Sequence, residues 1–155
     1  MDTNRKINTN TNTNTNTNNE ENSSIDSFIT RLDINLAELE KAGVILLLMG
    51  YSNFFIGANL DIEVALNEGY GELLPDEVTL LGQELVFCGY IFLWIVAYNR
   101  VKEKSFRQDS SEEEYLLPAY ESISNSYLLS VIANGLRVKS FNDIANFLKN
   151  NNPYG

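Results

Sequence analysis

Gln83 and Glu84 stand side by side inside an otherwise apolar run, Val78 to Tyr98, and Ser52-Asn53 interrupts a second run, Ala42 to Leu60. An ionisable or amide group held deep in an apolar helix is where protons or ions are handled in membrane proteins. At 1.5 Å per helical residue, Glu84 lies about 21 Å in from Tyr98 and Asn53 about 16 Å in from Ala42. The plainer reading puts Glu84 at the outer edge of the apolar layer, with the helix core starting at Leu85. Asn53, Gln83 and Glu84 are therefore the candidate polar residues within the apolar segments.

Other chemistries find little purchase. The chain of 155 residues has no histidine, which removes the commonest general base and metal ligand together. Cys88 is the single cysteine and has no intrachain disulfide partner; its neighbours Val86, Phe87, Tyr90 and Ile91 predict a buried small hydrophobe. Between Asp61 and Glu77 lie six acids, Asp61, Glu63, Glu68, Glu72, Asp76 and Glu77. They lack the alternating oxygen ligands and central glycine of a calcium loop, so a solvated acidic connection is expected. No nucleophile–base pair, phosphate-binding glycine loop or cofactor motif occurs. The sequence predicts no enzyme, cofactor or metal. Net charge is −10, from 21 acidic and 11 basic residues, which argues against nucleic acid as a partner.

Small residues form the second constellation. Gly43, Gly50 and Gly57 step by seven in the first apolar run, and Gly82 and Gly89 do so in the second. A step of seven keeps residues on one helix stripe, and glycine stripes let helix backbones approach closely in lipid. In an antiparallel pair, equal depth would set Gly50 opposite Gly89, Gly57 opposite Gly82 and Gly43 opposite Val96. A helix-packing seam is the expected role of these five glycines.

The elements that must position these residues follow from hydropathy and punctuation. The Asn-Thr alternation ending near Asn19 has nothing apolar to bury and predicts a disordered tail over 1–23. Ile25, Phe28, Ile29, Leu32, Leu36 and Leu39 recur at helical spacing, so an amphipathic helix over 24–41 is expected to run on into the first apolar segment, 42–60. Nineteen uncharged residues give about 28 Å, close to the roughly 30 Å hydrocarbon thickness. An acidic loop over 61–77 follows. Pro75-Asp76-Glu77 is a good helix opening for the second apolar segment, 78–99. A basic then acidic linker covers 100–115. Pro118 is expected to open an amphipathic helix with Tyr120, Ile123, Tyr127, Leu128, Val131 and Ile132 on one face. Gly135 is expected to break or kink it, and Ser140 to cap a last helix ending before Pro153.

The charge map orients the whole. All eleven Lys and Arg residues lie outside 42–99: Lys41 abuts the first apolar segment, and Arg100, Lys102, Lys104 and Arg107 follow the second. Basic residues retained on the cytoplasmic side explain this pattern, and the same cluster can touch anionic headgroups. The start, Met1-Asp2-Thr3-Asn4-Arg5-Lys6, does not resemble a cleavable signal. The predicted architecture is all-α: a two-span transmembrane hairpin in the cell membrane, flanked by amphipathic cytoplasmic helices, with both chain ends cytoplasmic. The expected role is a non-catalytic accessory or regulatory subunit acting on the lipid bilayer and a protein partner or a second copy of itself. A holin-like or channel-forming oligomer and a soluble helical bundle are the alternatives.

Overall fold

In a computed structural model, residues 13–66, 74–106 and 111–151 are described, and they form three helices: α1 (Thr13–Ala65), α2 (Pro75–Phe106) and α3 (Ser111–Asn151). Two of them contain stretches long and apolar enough to cross a membrane, Ser27–Ala65 in α1 and Pro75–Ser105 in α2. By contacts the chain divides at Asn35 and Leu36. In the first unit, α1 exposes Phe28 of the amphipathic stripe, so that stripe is not buried along its whole length. The second unit contains the remainder of α1 with α2 and α3.

Helix α2 starts where its punctuation predicts. Pro75 occupies the first position, Asp76 and Glu77 lie in the first turn, and the N–H groups of Glu77 and Val78 donate to the Leu74 carbonyl at 3.1 and 3.3 Å. Proline loses nothing there, since its missing N–H would have no partner inside the helix.

Other boundaries differ from expectation. Helix α1 already includes Thr13, within the segment read as a tail; extending an existing helix costs little per residue compared with nucleating one. Residues 1–12 lie outside the described residues. At its far end α1 passes Leu60 and closes at Ala65, where the Leu66 N–H donates to Ile62 at 3.0 Å. Arg100, Lys102 and Lys104, expected in a linker, form the last turns of α2.

The largest difference is α3. It begins at Ser111, not at Pro118, and carries that proline internally. Gly135 does not break it and Ser140 starts no new helix: a single helix packs along α2. The two helices lie antiparallel, since Tyr127 stands beside Tyr90, with ring centroids 6.5 Å apart, and Asn134 beside Gln83. Interior proline and glycine cost about 3 and 1 kcal/mol, sums that packing a long helix against a neighbour can offset. The expected inward face also shifts. Ile123 and Ile132 are exposed, whereas Ser124 and Asn134 are buried.

Candidate functional site

The glycine stripe of α1 meets α2 at backbone distance. A Cβ placed on Gly50 would lie 2.7 Å from the Gly82 carbonyl oxygen and 3.0 Å from the Val86 nitrogen. A Cβ on Gly82 would lie 2.9 Å from the Gly50 oxygen and 3.0 Å from the Asn53 Cβ. One level along, Gly43 and Gly89 are related in the same way, at 3.1 and 2.9 Å from each other's carbonyl oxygens. Gly57 meets the Thr79 hydroxyl, with the Pro75 carbonyl 3.4 Å away. All five stripe glycines are buried.

The partners differ from those that depth counting predicts. Gly50 stands against Gly82 and Val86 instead of Gly89, Gly57 against Thr79 and Pro75 instead of Gly82, and Gly82 against Gly50 and Asn53 instead of Gly57. Gly43 meets Gly89, Phe92 and Leu93 instead of Val96. The glycine that meets Gly50 is thus Gly82, one repeat of seven from the expected Gly89, and Gly89 meets Gly43. Each of these glycines also lies against a side chain of the facing helix: Val86 for Gly50, Asn53 for Gly82, Phe92 for Gly43 and Leu47 for Gly89.

The polar residues of the apolar segments separate by face. Gln83 is 1% exposed, and its amide nitrogen donates to the Asn134 side-chain oxygen at 2.9 Å. Asn134 in turn donates to the Ser130 carbonyl at 2.8 Å. Asn53 donates to the Met49 carbonyl and Ser52 to the Leu48 carbonyl, each four residues back on α1. Their polarity is thus satisfied within the helix. Glu84 points outward, so the structure does not bring it together with Gln83 and Asn134. Cys88, expected to be buried, lies on the same outward stripe and is exposed.

Asn134 is the residue that sequence reasoning missed. As Asn134-Gly135 it reads as a turn. Its spacing of seven from Tyr127 and three from Val131 nevertheless places it on the inward face of α3. The neighbouring Gly135 has the same explanation: an added Cβ would lie 3.3 Å from the Phe87 ring, so the glycine makes room for that ring.

At the other end of α2 the basic residues have individual partners. Arg100 donates to the Glu40 carboxylate at 2.6 Å, joining α2 to α1. Lys102 sits 4.5 Å over the Tyr98 ring, and Lys104 lies 5.9 Å from that of Tyr120 on α3. Lys41 pairs with Glu38 on its own helix at 3.3 Å. Arg107 lies outside the described residues.

A shallow cleft opens toward the opposite end of the three helices, lined by Phe54, Asp61, Thr79, Gln83, Arg137 and Phe141. It brings Asp61 and Arg137 to one surface. Nothing matches the chain among protein-family models, curated proteins or solved structures.

Proposed function

We propose that this chain is a non-catalytic membrane protein whose α1 and α2 insert in the bilayer as an antiparallel hairpin, and which acts by docking onto a protein partner. One observation carries the reading: amide and hydroxyl side chains are buried while a large set of apolar side chains faces outward. Among the described residues, the stripe glycines and Pro75 are buried together with the apolar Leu36, Val86, Leu93, Val96 and Ala97 and the polar Gln83, Ser124 and Asn134. Val44, Ile45, Leu48, Met49, Phe55 and Ile56 of α1 all face outward. A soluble domain rarely exposes a contiguous apolar surface of that extent, whereas lipid is a good solvent for it and leaves polar groups to pair inside. The basic cluster Lys41, Arg100, Lys102 and Lys104 supports an orientation with that end in the cytoplasm.

Docking is supported by the outward stripe of α2: Leu81, Glu84, Cys88 and Ile95. Glu84 has no ion pair among the described residues, and a carboxylate in an apolar stripe favours a partner able to satisfy it. The channel alternative needs polar groups free to line a lumen. Ser52, Asn53 and Gln83 instead spend their hydrogen bonds within or between these helices.

Two measurements test the reading. The protein should stay in the membrane pellet after alkaline carbonate washing; release into the supernatant would rule out insertion. A photo-crosslinking amino acid at Leu81 or Ile95 should give a protein adduct, and one at the buried Val86 should not. Failure to form any adduct from the α2 stripe would end the docking role.

A further inference from the structure

We infer that α3 is itself a membrane-embedded helix, with lipid acyl chains against Ile123, Leu129, Ile132 and Leu136, so that the C-terminal end emerges on the acidic side and not beside the basic cluster. The inference rests on the insertion of α1 and α2 proposed above.

Four observations converge on it. The first is placement. Tyr120 meets Lys104, Tyr127 stands beside Tyr90, and Asn134 bonds Gln83. Helix α3 therefore runs the length of α2's apolar segment in the opposite direction, and the same stretch of α2 holds the α1 glycines.

The second is charge. Ser122 to Leu136 contains no charged residue and is bounded by Glu121 and Arg137. These fifteen residues give about 22 Å of helix, short of a roughly 30 Å core by about 4 Å at each end. Arg137 and Glu121 can cover that shortfall by extending toward the headgroups.

The third is the direction of the side chains. Ser124 and Asn134 are 6% and 4% exposed, while Ile123, Leu129, Ile132 and Leu136 are 49–67% exposed. An amide and a hydroxyl turned inward with large aliphatic side chains turned outward suit a lipid surround.

The fourth is hydroxyl satisfaction. Ser126 donates to the Ile123 carbonyl, Ser130 to Ser126 and Ser140 to Leu136, at 2.8 to 3.0 Å. Serines that bond their own helix are compatible with a low-dielectric surround. Ser122 and Asn125, also exposed, lie at the end next to Glu121, where headgroups begin.

The test uses the full chain in membranes of intact cells, with Cys88→Ser as the background. Single cysteines are introduced at Ser105, Ile132 and Asn150 and treated with a membrane-impermeant maleimide before and after permeabilisation. Ser105→Cys and Asn150→Cys should report opposite sides, one labelled in intact cells and the other only after permeabilisation. Ile132→Cys should resist labelling in both states despite its exposed position. Labelling of Ser105→Cys and Asn150→Cys from the same side, or ready labelling of Ile132→Cys, overturns the inference. Loss of the parent protein from the pellet in carbonate would instead remove the insertion of α1 and α2, and same-side labelling counts against α3 alone when the parent stays in the pellet.

Discussion

The amide of Gln83 and the amide of Asn134 meet at 2.9 Å in a place where neither side chain is more than 4% exposed. Removing one partner strands the other in an apolar surround, at a cost of about 1–3 kcal/mol. Removing both costs less, because nothing polar is left unpaired. Gln83→Leu and Asn134→Leu should each lower the thermal unfolding midpoint in detergent more than half as much as the double variant lowers it. A double-mutant cycle should return a coupling of about 0.6–2 kcal/mol, the range for interhelical hydrogen bonds in membranes. Strict additivity would mean that the bond contributes nothing.

The glycine seam predicts an order of sensitivity. In Gly50→Ala the new methyl would meet backbone on α2, which cannot move alone, so overpacking of about 1–3 kcal/mol is expected. In Gly57→Ala it meets the Thr79 hydroxyl, which can rotate away, and alanine's helix preference of about 1 kcal/mol compensates. Unfolding midpoints of the two variants, measured side by side, should fall clearly for Gly50→Ala and hardly at all for Gly57→Ala.

Pro118 interrupts α3 near its start, leaving the carbonyl four residues earlier without its helical donor. Pro118→Ala should stabilise this end by about 1–3 kcal/mol. Amide hydrogen exchange should report it as slower exchange over residues 111–121, with no change in α2's second half.

Arg100 and Glu40 are each less than half exposed, and an ion pair in that setting is worth at most about 1 kcal/mol. Arg100→Glu should lower stability, and Glu40→Arg added to it should restore most of the loss. If the swapped pair is no better than the single variant, the contact has no role in holding α1 to α2.

These contrasts also explain what was legible beforehand. The start of α2 could be read from Pro75-Asp76-Glu77 because cap chemistry is local. The glycine stripes could be read because a step of seven is visible in one helix at a time. Their register could not: Gly50 meets Gly82 and not Gly89, and counting residues by depth does not encode which glycines meet. The continuity of α3 was hidden for a related reason. Pro118 and Gly135 act on a few residues, whereas the packing that overrides them is spread along α2. Glu84 and Gln83 are adjacent in sequence and face opposite ways, so apolar-run reasoning could name both without telling which one is paired.

A repeat of seven on both helices has an ambiguity built into it. Sliding α1 along α2 by one repeat, about 10.5 Å, would set Gly50 against Gly89 and Gly57 against Gly82, as many glycine meetings as before. The stripe is a ruler marked in sevens without a zero. The zero is set by contacts that do not repeat. Arg100 reaches Glu40, and after the slide it would find Leu47. The Tyr90 hydroxyl lies 3.5 Å from that of Tyr51, and would find Ala58. Two side-chain pairs outside the seam thus select one position from a periodic set.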